Sequence, residues 1–223
     1  MKTGTYHQYF FFDVQKEFYR LPKGKQRTLK DALKSLISKQ TAVTTVSYAT
    51  LGFKVSTTFM LWCQAESPRE LQEFLRNIVR NPLGHYLSLT YSYFGIVRNS
   101  QYSGRTGKPE QVIQNYDERL PYLILYPFTK TTQWYQLDFE QRKSIMGEHI
   151  KTGVGHKDIR QCLLYSYGVD DNEFLLSYET NTLEKFQELI MDMRKTASRI
   201  YTLSDTPIFT CIHKPLPELI EWL

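Results

Sequence analysis

His149 is a candidate metal ligand because of its residue type and its predicted surroundings. Asp138 and Gln141 have the spacing of a capping box, which predicts a short helix that begins after Asp138 and ends at His149. Ile145, Met146 and His149 fall at helical spacing, so the imidazole is predicted on an apolar, inward-facing stripe. A histidine in a dry interior beside aromatic side chains can bind a haem iron, and many structural histidines have the same surroundings.

Aromatic and cationic side chains precede this helix. Tyr126 follows an apolar run that is typical of a buried strand, and Pro127 predicts that strand pairing ends there. A phenol can take part in one-electron chemistry that a carboxylate or an ammonium group cannot perform. Lys130, Trp134 and Tyr135 follow along the chain. Taken alone, each of these residues is equally well explained by packing or by a place in a loop.

The composition excludes some classes of function. The chain of 223 residues can form one large domain or two small ones, and 16 Tyr and 13 Phe make it rich in aromatic side chains. Its net charge of +5 suits an anionic small molecule but is too low and too diffuse to predict nucleic-acid binding. The basic run from Lys23 to Lys34 is interpreted as a solvated helix face.

The cysteines and the hydropathy predict a cytoplasmic protein. Cys63, Cys162 and Cys211 are isolated thiols without the spacing of metal ligands, and we expect them to be buried in a protein of a reducing compartment. No apolar run approaches the roughly 18 residues that a membrane span needs. The N-terminus lacks the basic and then apolar layout of a secretion signal.

An internal repeat predicts the fold. Residues 59–75 align with 174–190 without a gap, and each copy has an apolar strand, a helix-start residue (Ser67 or Thr182) and an amphipathic helix. Any two strand–helix units share some of this likeness, but seventeen aligned positions favour duplication. Further strands are predicted on both sides of each copy, at 43–51, 88–97, 160–167 and 207–213. The order in each half is then that of a ferredoxin-like α+β unit.

The repeat also predicts the domain organisation. Residues 1–104 form an N-terminal ferredoxin-like half, 105–120 a connecting loop, and 121–223 a C-terminal half that carries the functional site. The stretch Gly104–Gln114 has the turn residues of a mobile linker or lid.

The stretch from Tyr126 to Asp171, including Gln161 and the turn Tyr167–Asp171, resembles the chlorite dismutase-like family, and within it the coproheme decarboxylase branch. The likeness covers most of the chain, with further matches at Tyr9–Asp13, Phe18–Pro22 and Leu83–Gly84, and it fades between Val97 and Arg119. The resemblance implies tandem ferredoxin-like repeats that form a dimeric α+β barrel, with a haem or coproheme pocket in the C-terminal half. It also implies assembly as a homopentamer. In the family the connection between the halves lies near the porphyrin edge, so the resemblance makes Gly104–Gln114 a candidate substrate gate.

The resemblance implies roles for the residues introduced above. His149 stands where the family has its proximal haem-iron ligand. Tyr126 stands where the decarboxylases have the tyrosine that becomes a radical and takes a hydrogen atom from a propionate. Lys130 matches the lysine that pairs with the reacting propionate, and Arg194 matches an arginine that helps to hold propionates, for which a bidentate guanidinium is suited.

Other positions separate the branches of the family. Trp134 and Tyr135 match an aromatic pair that walls the porphyrin. Gln161 occupies the position where chlorite dismutases carry a distal arginine, although a shift of one residue would bring Arg160 there. Strand alternation favours Gln161, because the two neighbours point to opposite faces. Ser198 stands where chlorite dismutases have a glutamate bonded to the proximal histidine.

The resemblance therefore implies a cytoplasmic coproheme decarboxylase of haem biosynthesis. It would convert Fe-coproporphyrin III (coproheme) to haem b by peroxide-dependent decarboxylation of two propionates. A chlorite dismutase-type haem enzyme is the first alternative, and it calls for a distal arginine and a proximal carboxylate. A non-catalytic haem-binding or haem-delivery protein is the second, and a barrel with only a structural role is the third.

Overall fold

The computed structural model describes residues 5–100, 102 and 118–223. Contacts divide the chain into two units, Met1–Phe94 with Thr210–Leu223 and Gly95–Phe209. The predicted gate Gly104–Gln114 lies outside the described residues, and so does most of the predicted connecting loop 105–120. The three-part division of the chain and the gate therefore stay predictions.

The described residues form nine strands and seven α-helices. They are β1 (Tyr6–Val14), α1 (Lys16–Tyr19), α2 (Lys23–Lys39), β2 (Thr44–Ala49), β3 (Phe59–Ala65), α3 (Pro68–Arg80), β4 (Leu87–Ile96), β5 (Tyr122–Lys130), α4 (Thr132–Gln136), α5 (Phe139–Gly155), β6 (Arg160–Tyr165), β7 (Phe174–Thr180), α6 (Leu183–Met193), β8 (Thr202–Ser204), β9 (Phe209–His213) and α7 (Leu216–Trp222). Two short 3-10 helices, Pro82–Tyr86 and Ala197–Tyr201, precede β4 and β8.

The first unit is a helix-covered sheet in the strand order β4-β1-β3-β2-β9. In this order the fourth strand lies beside the first, and the third lies between the first and the second, as in a ferredoxin-like unit. Its core joins Phe10, Phe12 and Leu61 of the sheet to Leu33 of α2 and Leu219 of α7. All seven residues of β3 are buried, so both faces of this strand are covered.

The second unit repeats this arrangement in the order β6-β7-β5-β8. On one face of its sheet, Ile124, Leu176 and Tyr178 form an apolar cluster with Leu189 and Phe186 of α6. The strand predicted at 207–213 forms as β9, but it pairs with β2 through Ala49 and Ile212. This pairing was not foreseen, because strand partners far apart in sequence leave no local signal.

The α+β class predicted from the repeat is confirmed, since antiparallel strand pairs and helices succeed one another in the predicted order. The closing of the sheets into a dimeric α+β barrel stays a prediction. All three cysteines are buried and form no disulfide, as expected. Among the described ranges, no helix is long and apolar enough to span a bilayer.

Two local predictions are wrong. Pro127 does not end strand pairing, because β5 continues to Lys130 and pairs Pro127 with Leu175 and Phe128 with Phe174. Only alternate residues of an antiparallel strand bond to a given neighbour, so a proline at a non-bonding position is tolerated. Helix α5 does not end at His149 but continues to Gly155, since no residue that stops a helix follows His149 directly.

The cap of α5 is formed as predicted and sets the start of the helix that carries His149. The Asp138 carboxylate accepts the backbone N–H of Gln141 at 2.8 Å, and the Gln141 side chain accepts the N–H of Asp138 at 3.0 Å. Thr182, the predicted start residue of α6, occupies the cap position but makes no side-chain capping bond.

These two caps allow a matched test. We expect Asp138→Ala to lower the free energy of unfolding by about 1 kcal/mol, because the backbone N–H of Gln141 loses its partner. Thr182→Ala should cost clearly less, since no capping bond is removed. Urea unfolding of both variants measures this difference, and an equal loss in the two would contradict the assignment of the cap.

Candidate functional site

The ring of His149 is oriented by the 3-10 helix Ala197–Tyr201. The Nδ1 atom of His149 lies 3.0 Å from the Ser198 hydroxyl, the neighbour predicted from the sequence. The adjacent Glu148 carboxylate accepts the backbone N–H of Ala197 at 3.1 Å, so two successive residues of α5 attach to the same segment. When Nδ1 donates to Ser198, the lone pair of Nε2 is the one that can bind a metal ion.

His149 is neutral at neutral pH. Burial lowers its pKa to about 4, and the positive charge of Lys130 adds to this effect, while Glu148 opposes it. Metal ions bind the neutral form of imidazole. The stripe that was predicted to be dry is only half-buried: Ile145, Met146 and His149 all keep partial exposure, and no residue of α5, which is described in full, is completely buried.

Lys130 is a buried cation near His149, whose pKa it affects. Its ammonium group lies 4.4 Å from the centroid of the Trp134 ring and 3.5 Å from the carbonyl oxygen of Ser198. Its backbone N–H donates to Glu173 at 2.7 Å. Burial lowers the pKa of Lys130 to about 8, an effect that Glu173 opposes and Arg199 reinforces. The cation–π contact and the nearby carboxylate keep the ammonium in place.

Trp134 and Tyr135, the predicted aromatic pair, lie in different surroundings. Trp134 is buried and packs on Tyr201 with ring centroids 5.5 Å apart. Tyr135 is 41% exposed, and its hydroxyl donates to Glu173 and lies 2.9 Å from the hydroxyl of Tyr167. The two side chains thus have different neighbours. Their joint role as walls of a porphyrin stays a prediction.

Tyr126 is a buried phenol on the cluster-bearing face of the second unit. Its ring is stacked on Tyr178 with centroids 6.0 Å apart and an angle of 22°. Burial raises its pKa well above the usual value, and the charge and hydroxyl of Tyr178 and the Asp205 carboxylate raise it further, while Arg194 lowers it. The phenol therefore stays protonated at any physiological pH.

The register of β6 decides whether Gln161 or Arg160 lies on the same face of the sheet as Tyr126. Gln161 pairs with Tyr178, and paired residues of adjacent strands point to the same face, so Gln161 shares the face of Tyr126 and Tyr178. Arg160 pairs with Glu179 on the opposite face, and their charged atoms lie 3.6 Å apart. Strand alternation had predicted this difference between the neighbours.

An acidic residue joins two arginines beside Tyr126. Arg194 ends α6 and lies 3.5 Å from the Asp205 carboxylate, which also accepts a 2.6 Å hydrogen bond from Arg199. Arg194 and Asp205 act on the pKa of Tyr126, and Arg199 acts on that of Lys130. Electrostatic interactions therefore link the Tyr126 group to the Lys130 and His149 group.

Sequence reasoning missed four residues of this site, which are Glu173, Tyr178, Arg199 and Asp205. Each lies near a predicted residue only because strands pair or because a loop folds back. The alternation of β7 could have placed Tyr178 on the apolar face, but its contact with Tyr126 depends on the register. We find no sequence signal for the place of Asp205 between two arginines.

Three comparisons with known proteins bear on this α+β fold and its histidine and tyrosine groups. A family model of chlorite dismutase matches residues 25–214. The coproheme decarboxylase of Mycolicibacterium smegmatis is 27% identical over 164 residues, which cover 73% of this chain and 70% of that protein. The chlorite dismutase of Ideonella dechloratans is 22% identical over an alignment that covers 99% of this chain and 80% of that protein.

The solved structures agree on the fold. A variant of the chlorite dismutase from Candidatus Nitrospira defluvii superposes with a TM-score of 0.90 at 23% identity, covering all of this chain and 96% of that chain. The complex of that enzyme with imidazole gives the same values. At this identity the likeness shows the fold alone. The match of the family model over most of the chain shows more: the protein belongs to the chlorite dismutase family.

The lowered pKa of His149 predicts how stability depends on pH in the protein without porphyrin. The usual pKa of 6.5 applies to the unfolded chain, and the folded value is about 4. Between these values the unfolded chain binds the extra proton, so the free energy of unfolding should fall as the pH decreases from 6.5 to 4. Above pH 6.5 the stabilisation is fully present.

His149→Gln should weaken this dependence. Urea unfolding at pH 7 and at pH 4.5 measures it, and the difference between the two should be smaller in the variant than in the wild type. His85→Gln, which removes an exposed histidine of the first unit, is the matched control. An unchanged difference in His149→Gln would contradict the cause assigned to the shift.

Proposed function

We propose that the protein is a coproheme decarboxylase, an enzyme that converts Fe-coproporphyrin III to haem b with hydrogen peroxide. Members of its family are haem-dependent enzymes, and one of its relatives bears this name. The observation that carries the proposal is the shared face of Tyr126 and Gln161, from which Arg160 is turned away. A chlorite dismutase-type site would call for an arginine on that face.

The residues present fit an iron porphyrin. His149 is neutral, and in the tautomer whose Nδ1 donates to Ser198 the Nε2 atom is able to bind iron. Its partner is a hydroxyl and not a carboxylate, so the imidazole donates less electron density than it would beside a glutamate. This second departure from the chlorite dismutase pattern also supports a decarboxylase. When bound, the iron porphyrin supplies the redox chemistry with peroxide.

Tyr126 is the residue that we assign to the propionates. Its phenol is buried and protonated, so it holds a hydrogen atom that it can give up and later recover. As a radical it would take a hydrogen atom from a propionate side chain, and the phenol would be restored. Each propionate reacts with one hydrogen peroxide and one proton, and yields a vinyl group, one carbon dioxide and two waters.

Cations around Tyr126 and His149 suit a substrate with four carboxylates. Arg194 keeps 49% of its side-chain surface exposed, so it can bind a carboxylate of a ligand as well as Asp205. Lys130 is more buried and is held against Trp134, which suits it to a single reacting propionate. The same proposal includes three further points. Trp134 and Tyr135 form walls of the porphyrin site, the protein assembles as a homopentamer, and it is located in the cytoplasm.

The first experiment is an anaerobic titration with Fe-coproporphyrin III, followed by hydrogen peroxide and mass analysis of the porphyrin. The proposal predicts stepwise loss of two formic-acid equivalents. Oxygen release from added chlorite without any change of the porphyrin would indicate a chlorite dismutase-type enzyme. Tight binding with no chemistry would indicate a haem-binding or haem-delivery protein.

Tyr126→Phe tests the catalytic assignment. We expect the variant to bind Fe-coproporphyrin III as the wild type does and to lose at least 100-fold in the rate of propionate loss, on the order of 3 kcal/mol, because phenylalanine has no hydroxyl hydrogen to exchange. Tyr122→Phe removes a hydroxyl from the same strand and is the control. Vinyl formation by Tyr126→Phe at the wild-type rate would exclude the assigned role.

Arg194→Gln tests the binding of carboxylates. Loss of one charge-assisted hydrogen bond should weaken the binding of Fe-coproporphyrin III by about tenfold, and that of an iron porphyrin with esterified propionates much less. Absorbance titrations of both ligands give the two dissociation constants. Equal losses for the acid and the ester would mean that Arg194 does not contact a carboxylate.

A further inference from the structure

Tyr178 lies beside Tyr126 on the sheet of the second unit, and strands pair with it on both sides. In β7 it pairs with Ile124 on one side and with Gln161 on the other, which puts it on the face of Tyr126 and one diagonal step away. It is buried, and the ring of Phe186 from α6 packs on it at 5.3 Å between centroids. The ring of Tyr178 therefore has packing contacts with Tyr126 of the sheet and with Phe186 of α6.

The contact between the two tyrosines is a stack of their rings, and both side chains are buried. The hydroxyl groups are near enough for Tyr178 to raise the pKa of Tyr126. Burial raises the pKa of Tyr178 to about 12, so it is also protonated at physiological pH. A protonated phenol can accept a hydrogen bond from Tyr126 or donate one to its oxygen. It can therefore hold that oxygen whether or not it carries hydrogen.

We propose that Tyr178 is a positioning residue for Tyr126: its hydroxyl forms a hydrogen bond with the reactive oxygen and keeps it in one place while Tyr126 gives up and recovers its hydrogen atom. This inference rests on the proposed function. Tyr178 keeps its own proton and electrons throughout, and only the direction of its hydrogen bond changes. Gln161 pairs with Tyr178 across β6 and β7, so it shares the face of the two tyrosines.

A purely structural role would have different consequences from a positioning role. Tyr178→Phe keeps the ring that packs between Tyr126 and Phe186 and removes only the hydroxyl, so we expect a folded protein. A core residue that merely fills space would tolerate this change. A positioning residue would not, because the Tyr126 oxygen would lose its hydrogen-bond partner.

The first readout needs no porphyrin. All 16 tyrosines are replaced by 3-fluorotyrosine, and the Tyr126 resonance in the fluorine spectrum is identified by its absence from Tyr126→Phe. We expect Tyr178→Phe to shift this resonance, since the stacked ring stays and only the hydrogen bond is lost. Tyr122→Phe, the control, should leave it in place. An unmoved Tyr126 resonance in Tyr178→Phe would overturn the proposal.

The second readout is the rate of propionate loss. Tyr178→Phe should lower it by about five- to tenfold, as expected for one hydrogen bond, and should leave the dissociation constant of Fe-coproporphyrin III within about twofold of the wild-type value. p-Aminophenylalanine at position 178 restores a hydrogen-bonding group and should recover most of the rate. A wild-type rate in Tyr178→Phe, or a loss only in affinity, would overturn the positioning role.

The two proposals fail in different ways. If the wild-type protein leaves the mass of the porphyrin unchanged, the proposed function is wrong, and the positioning role fails with it even if the fluorine resonance shifts. If the wild type loses its propionates and Tyr178→Phe matches its rate, only the inference about Tyr178 is wrong.

Discussion

The antiparallel register that joins β5, β7 and β6 is the constraint on which the site depends. Because side chains alternate between faces, a slip of one residue would turn Gln161 away from Tyr126 and bring Arg160 to its place. The opposite face resists such a slip. Glu179 is fully buried there, with Arg119 at 3.4 Å and Arg160 at 3.6 Å. A slip would move Arg160 away from Glu179 to the apolar face, and separating the partners of a buried ion pair costs free energy.

A second constraint acts on the helix that carries His149. The cap at Asp138 sets where α5 begins, and Glu148 and His149 attach it to the 3-10 helix Ala197–Tyr201. Near its other end, His156 lies 3.2 Å from Asp192 of α6. The imidazole is thus oriented by polar contacts and not by a fully buried helix face, and Ile145, Met146 and His149 all stay partly exposed.

The family shares one fold among enzymes that bear different names, so the fold cannot decide the reaction. A structural match with a TM-score of 0.90 accompanies only 23% identity. The proposal of a decarboxylase therefore rests on a few groups, namely the amide of Gln161 and the hydroxyl of Ser198, at positions where the resemblance implies a guanidinium and a carboxylate in chlorite dismutases. Charge matters as well, since Asp205 lies between two arginines near Tyr126.

Local patterns in the sequence determined the elements of this protein. The capping box at Asp138, the apolar run before Tyr126 and the repeat of 59–75 at 174–190 predicted helices, strands and the α+β class, because such signals act over a few residues. Only the tertiary structure decided the partner of β9, the passage of β5 through Pro127, and the neighbours Tyr178, Glu173 and Asp205. Those contacts join residues far apart in the chain, and their geometry depends on register and loop closure, for which adjacent residues carry no signal.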